Sequence, residues 1–490
     1  MIILKKSVPL HTIMWMIAII LGYFAVLFAI SRLTARRATN DTFFRGNRQS
    51  PWYMVAFGMV GASISGVTFV SVPGMVTQID MTYMQTCLGF ILGYFAVAFI
   101  LLPLYYRLNL TTIYSYLGKR LGPRAYKTGA SFFLLSKMTG AVVRFYVVCM
   151  ILQQFVFDEM GIPFVVTVSA MVTLIWLYTR GGGIKTLVWT DTFQTICLFS
   201  ALLLIIYKVV GDLGLTIPEA VSAIASDEHS RMFVMDDWVS KQNFWKQFLS
   251  GVFIVIVMTG LDQDMMQKNL TCKTLKEAQK DMCTYGVAFV PANLLFLSLG
   301  VLLVMLGETG VSDTLLPGFV QRSGLSVLIP FMIGIVAASF SSADSALTSL
   351  TTSYCVDIRG RAGDEQLRKR AHLGISILFV VMILLFRLLN STSVIDAIYT
   401  ICGYTYGPLL GLFAFGMLTK RMPRDRFVPY ICIASPLLCY AIDAITWHVA
   451  GYRFGYELLM MNGALTFMAL FVLSSANSPR TPSAGCQTVS

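Results

Sequence analysis

The chain has 490 residues, of which 56% are hydrophobic and only 13% charged, and its mean hydropathy is +0.71. A water-soluble fold of this length has no interior large enough for so much apolar side chain, so the composition excludes a soluble globular protein and calls for many membrane spans. The formal charge of +12 does not signal nucleic acid, because the basic residues fall in short clusters between apolar runs, the pattern that orients membrane helices.

In chain order, apolar segments of spanning length lie near 12–31, 53–78, 83–107, 127–157, 162–179, 184–209, 243–262, 282–307, 326–357, 371–389, 394–419, 427–448 and 455–475, about thirteen transmembrane helices in all. An Arg-rich stretch follows the first, as in a retained anchor rather than a cleaved leader. Arg32, Arg36, Arg37, Arg45 and Arg48 follow the first span, and Lys119, Arg120, Arg124 and Lys127 the third. Arg359, Arg361, Arg368, Lys369 and Arg370 follow the ninth, and Lys420, Arg421, Arg424 and Arg426 the eleventh. That count puts all four clusters on one side, which places the amino terminus outside and the carboxyl terminus inside. The ten cysteines are scattered and there are only four histidines, so neither a disulfide framework nor a His/Cys metal site is read. Residues 476–490 read as a disordered cytoplasmic tail.

Three segments carry polar chemistry where lipid gives it no reason to exist. The second span holds Gly58, Gly61, Ala62, Ser63, Ser65, Gly66 and Thr68, followed by Pro73-Gly74. Such residues break a helix and free its carbonyls toward a cavity, or else let helices pack closely. The fourth span carries Arg144 far from either interface. A guanidinium there stays charged and faces a cavity or a partner, and its fork matches a carboxylate. The ninth span runs Ala337-Ala338-Ser339-Phe340-Ser341-Ser342-Ala343-Asp344-Ser345. A carboxylate at that depth implies a partner, and a cation is the simplest one.

The Gly61–Gly66 run with Pro73-Gly74, the stretch YTRGGGIKTLVWTDTFQ from Tyr178 to Gln194, Asp262–Gln267 and the Ala338–Asp357 run together resemble the sodium/solute symporter family over roughly 52–420. The resemblance implies an all-α multi-span membrane protein of the LeuT type, a five-plus-five inverted repeat with one extra helix before it and two after. In residues, that is a leading helix and basic loop (1–51), a first half (52–210), an extracellular loop (211–242), a second half (243–420) and two further helices (421–475). It also implies sodium as the co-transported ion. A first sodium site is carried over to the carbonyls of Gly61, Ile64 and Ala338 with the side chains of Ser341 and Ser342; hydroxyls bonding their own helix backbone are the alternative.

The family's sialic acid transporters imply a second sodium site at Asp191 with Ser341, Asp344 and Ser345, the last three on one helix face. Asp344 departs from the pattern, standing where a neutral residue is expected. It either strengthens the site for a cation, makes it proton-titratable, or pairs with Lys137 or Arg144. The same resemblance puts Arg144 against a substrate carboxylate, with Ser63, Ser65, Thr68 and Gln85 beside it; a structural pair of Arg144 with Asp344 or Asp191 is the alternative. The expectation is therefore a sodium-coupled symporter for an anionic sugar such as sialic acid, with two sodium ions per substrate. It would be a transporter and not an enzyme, multi-pass in the bacterial inner membrane, embedded in the lipid bilayer, functional as a monomer and without a nucleic-acid partner. An amino acid, neutral sugar or monocarboxylate as substrate, or a membrane-embedded enzyme or sensor, are the alternatives.

Overall fold

The computed structural model describes residues 10–36, 38–238, 240–310, 312–389 and 394–475; the tail expected at 476–490 lies outside them. The helices that build it are α1 (Leu10–Thr34), α2 (Trp52–Ser63), α3 (Gly66–Ile79), α4 (Tyr83–Ala96), α5 (Pro123–Leu152), α6 (Phe164–Thr179), α7 (Ile184–Asp212), α8 (Phe244–Val255), α9 (Gln263–Asn269), α10 (Leu275–Met305), α11 (Leu325–Ser353), α12 (Glu365–Leu389), α13 (Val394–Leu418), α14 (Val428–Ala450) and α15 (Leu458–Val472). Among the described residues the single sheet is a two-residue antiparallel pair, Met422–Pro423 with Ser474–Ser475. Among the described residues nine helices are long and apolar enough to cross a membrane, two bent pairs are so when each is taken as one span, and α6 and α15 are shorter apolar helices. Flanks of large apolar side chains such as Leu203, Leu204, Leu388 and Leu437 stand exposed, a surface suited to lipid rather than water.

Two spans are broken, one at the Gly58–Thr68 stretch where the sequence offered a break and one, near 243–262, that read as continuous. Between α2 and α3 the axis turns by 60°, and between the α8 segment and α9 by 69°. At the first break Ile64 leaves helical geometry (φ −81°, ψ 89°), and the Ser65 hydroxyl caps α3 by accepting the Thr68 N–H at 3.4 Å. At the second, a π turn over Ile256–Gly260 ends the span. Asp262 then caps α9 by accepting the Asp264 N–H at 2.8 Å. Each helix end leaves carbonyls without backbone donors, the raw material of a polar site at membrane depth. Glycine at the first break serves a second purpose. A Cβ on Gly61 would run into Thr195 Oγ1 of α7, and one on Gly66 into Ser339 Oγ of α11. Helix breaking and close packing, posed as alternatives from the sequence, therefore occur together.

The four basic clusters meet at one end of the molecule. Arg45 and Arg48 donate to the carbonyls of Asn109 and Leu110, and Asn40 donates to the Ala362 carbonyl at 2.9 Å. Arg120 donates to the carbonyls of Gly416 and Thr419 past the carboxyl end of α13, where cations complement the helix dipole. Asp425 accepts the Arg124 and Ala125 N–H groups at the amino end of α5, at 3.0 and 2.9 Å. At the other end Glu308 pairs with Arg322 and Asp80 with His229. There Asp313 accepts from Ser71 of α3 at 2.5 Å.

Candidate substrate cavity and sodium sites

The two breaks, α4, α5, α10, α11 and α13 line a cavity of about 130 Å³, room for roughly ten water-sized groups. Ser63, Ser65 and Thr68 line it from the break, Lys137 and Arg144 from α5, Tyr285 and Asn293 from α10, Ser342 from α11 and Tyr406 from α13. The Ser63 hydroxyl is 2.5 Å from Tyr285 Oη, which in turn accepts from Tyr94 at 2.7 Å.

Two cations line this space and they are treated differently. Lys137 Nζ lies 2.6 Å from Asp264 Oδ2 and 3.3 Å from Asp262 Oδ2, and Tyr406 donates to Asp262 Oδ2 at 2.6 Å. Its charge is consumed by the second break. Arg144 is half-buried, and no carboxylate among the described residues pairs with it. Neither Asp344 nor Asp191 is its partner, and Lys137 is not the partner of Asp344. The structural pairs weighed from the sequence for these residues are not formed.

Gln85 is the expected substrate residue that the cavity does not include. Its side chain is fully buried, donating to the Gln242 carbonyl at 2.8 Å and accepting the Val234 N–H at 3.0 Å. Both amide ends are spent on holding the segment before α8 against α4. Gln85 is thus a correction: it fixes a loop.

Around the first break, Ser342 Oγ donates to the Ala62 carbonyl at 3.0 Å and the Ala338 carbonyl at 3.3 Å. The structure therefore brings the end of α2, with Gly61 and Ile64, against the turn of α11 that carries Ala338 and Ser342. Ser341 points elsewhere, donating to Asp191 Oδ1 of α7 at 2.7 Å. Asp191, Asp344 and Ser345 are each at most 1% exposed. Tyr178 of α6 donates to Asp344 Oδ2 at 2.6 Å.

One residue of this cluster went unread in the sequence. Lys268 of α9, 1% exposed, places Nζ 2.7 Å from Asp191 Oδ2. It stands one position past the Asp262–Gln267 motif, and a lysine beside an apolar run was the available signal. The span had been drawn to end at 262, which put Lys268 in a loop. The 69° bend instead folds α9 back into the core, where all seven of its residues are buried.

A membrane-embedded bundle with two broken helices around a polar cavity is the plan of a secondary transporter. The chain matches the sodium:solute symporter family over residues 43–425 and belongs to it; sodium is the co-transported ion, and the protein is not an enzyme. It is 26% identical over 434 residues to the sodium/sialic acid symporter of Proteus mirabilis, covering 82% of this chain and 84% of that protein. To the human sodium/iodide cotransporter it is 25% identical over 405 residues, 78% of this chain but only 61% of the relative's length. To the mouse sodium-coupled monocarboxylate transporter 2 it is 25% identical, covering 80% and 65%. The fold matches a substrate-bound, outward-open sodium-coupled sialic acid symporter with a TM-score of 0.78 at 21% identity, covering 93% and 97% of the two chains. It also matches a nucleobase-cation-symport-1 family transporter in a closed conformation, with a TM-score of 0.56 at 14% identity, over 88% and 93%. The architecture is thus the LeuT-type fold expected from the motifs.

Proposed function

We propose that the protein imports an anionic sugar of the sialic acid type, driven by two sodium ions, across the bacterial inner membrane, and that it acts as a monomer. The single observation that carries the substrate reading is Arg144, a cavity guanidinium with no carboxylate partner among the described residues, beside a lysine already neutralised by Asp262 and Asp264. A free guanidinium next to the hydroxyls of Ser63, Ser65 and Thr68 suits a polyhydroxylated carboxylate. Sialic acid, iodide and monocarboxylates, the solutes in the relatives' names, share negative charge, in line with that assignment. A smaller anion is the second reading, favoured by the cavity's size of about 130 Å³.

Bends at the heads of 52–210 and 243–420 support two halves of inverted topology, with the ring of basic loops facing the cytoplasm. Sodium at the Gly61, Ile64, Ala338, Ser341 and Ser342 site would hold the broken helix against α11, and would raise substrate affinity by a coupling that acts equally in reverse. With two sodium ions per monoanion one net charge moves inward, so the membrane potential adds about 2.3 kcal/mol per 100 mV. The test is uptake of labelled sialic acid into proteoliposomes under an inward sodium gradient, with iodide, short monocarboxylates and neutral sugars as competitors. Sodium-dependent accumulation with inward current supports the reading. Competition by neutral sugars alone would overturn the anion assignment, and accumulation without current would overturn the stoichiometry.

A further inference from the structure

Resting on that symport reading, the contacts around α11 point to a second sodium site that keeps Asp344 and Ser345 of the one the motifs imply but not Asp191 and Ser341. Three buried carboxylates, Asp191, Asp264 and Asp344, face Lys268; its ammonium lies 2.7 Å from Asp191, and Asp264 is paired with Lys137 at 2.6 Å. Ser341, the hydroxyl that would share a cation with Asp191, already donates to Asp191 Oδ1. The Asp191 end of the expected second sodium site is therefore filled from within the chain, and a cation added there would meet the lysine charge. Asp344 accepts from Tyr178 but pairs with no ammonium among the described residues, and a buried charge without compensation is costly.

The hydroxyls of α11 show where the compensation belongs. Ser342 donates to Ala62, Ser349 to Ala346, Thr351 to Leu347, Thr352 to Thr348 and Ser353 to Asp357. Between Ser341 and Ser353, two hydroxyls lack a partner, Ser345 Oγ and Thr348 Oγ1, and both are buried. Asp344 Oδ1 is likewise buried and unpartnered. Asp344 and Thr348 are one turn apart on one helix face, with Ser345 adjoining. A hard monovalent cation takes a carboxylate and hydroxyl oxygens of this kind.

We propose that in this chain Lys268 serves as the fixed counter-ion of Asp191 and that the second sodium ion is held without Asp191 and Ser341, by Asp344, Ser345 and, one turn further along α11, Thr348. The assignment accounts for Lys268 and Asp344 together. Lys268 meets the charge of Asp191, and Asp344 supplies the charge that binds the ion.

Equilibrium binding of radioactive sodium to the purified full-length protein, without organic substrate, tests this. The wild type is expected to bind about two ions per chain, and Asp344→Asn and Thr348→Val about one each. Thr348→Ser, which keeps the hydroxyl, retains both and controls for folding. Ser342→Ala loses the other ion and keeps the Thr348-dependent one. Thr348→Val binding two ions with wild-type affinity would overturn the site while leaving symport intact. So would a wild type with a single ion lost in Ser342→Ala, since Lys268 would then have replaced the second ion outright. A wild type that binds no sodium overturns the symport reading itself, and the site with it.

Discussion

Replacing Lys268 by methionine keeps the length and apolar stem of the side chain and deletes only its charge, leaving Asp191 buried without an ionic partner. Both residues are 1% exposed and their charged atoms are 2.7 Å apart, so solvent cannot take over the lost contact. Removing one member of such a pair costs about 3–5 kcal/mol. Sodium can move in beside the liberated carboxylate, and at a concentration of a hundred times its dissociation constant it would return about 2.7 kcal/mol. The expected result is a large loss of thermal stability in choline chloride that sodium chloride substantially repairs, well beyond sodium's effect on the wild type. Asp191→Asn combined with Lys268→Met removes the stranded charge, so the double variant should be more stable in choline than Lys268→Met alone, a marked departure from additivity. Thermal unfolding of the wild type, both single variants and the double variant in detergent, in each salt, reads this directly. A Lys268→Met protein as stable as the wild type in choline, or a double variant that loses the sum of the single effects, would refute the buried pair.

Arg144→Ala should raise the half-saturating concentration of an anionic substrate at least about tenfold, and Arg144→Lys should recover only part of it, because an ammonium lacks the guanidinium fork; concentration-dependent uptake measures both, and unchanged affinity in Arg144→Ala would sink the carboxylate contact. Gln85→Ala should cost about 1–3 kcal/mol by stranding the buried Val234 N–H, while substrate affinity in the folded fraction stays at the wild-type value; a selective loss of affinity would return Gln85 to the cavity. Gly61→Ala forces a methyl group onto Thr195 Oγ1 and should destabilise by about 1–3 kcal/mol; a thermal midpoint equal to the wild type's would show that α2 and α7 are looser than the structure has them.

How much of this was legible in the sequence depends on whether a feature is local. Apolar run length marked the spans, because bilayer thickness sets it. The glycines and serines from Gly58 to Thr68 announced the first break, because their backbone freedom is an intrinsic property. The second break gave no such sign. It rests on a π turn and an aspartate cap in the segment from Ile256 to Asp264, whose residues read as an ordinary helix running out into a polar loop. Asp262, Asp264 and Lys268 consequently looked solvated, although each is at most 3% exposed. Partnerships were the least legible, since Tyr178 reaches Asp344 across 166 positions and Gln85 reaches Val234 across 149. Residue type showed that Arg144, Asp191 and Asp344 needed company. Only the fold could say which company each had.

The knot of Lys137 with Asp262, Asp264 and Tyr406 has a mechanical meaning. It fastens α5, the cap of α9 and α13 at a single point on the cavity wall. The bend before α9 is therefore not a free hinge. Any stroke that swings that bend must drag the other two helices along or strip charge from charge, so the chain can trade one rigid arrangement for another but gains little by stopping between them. A carrier built this way resists leaking ions through half-open states, because the same four side chains that line the chamber make the intermediate postures expensive.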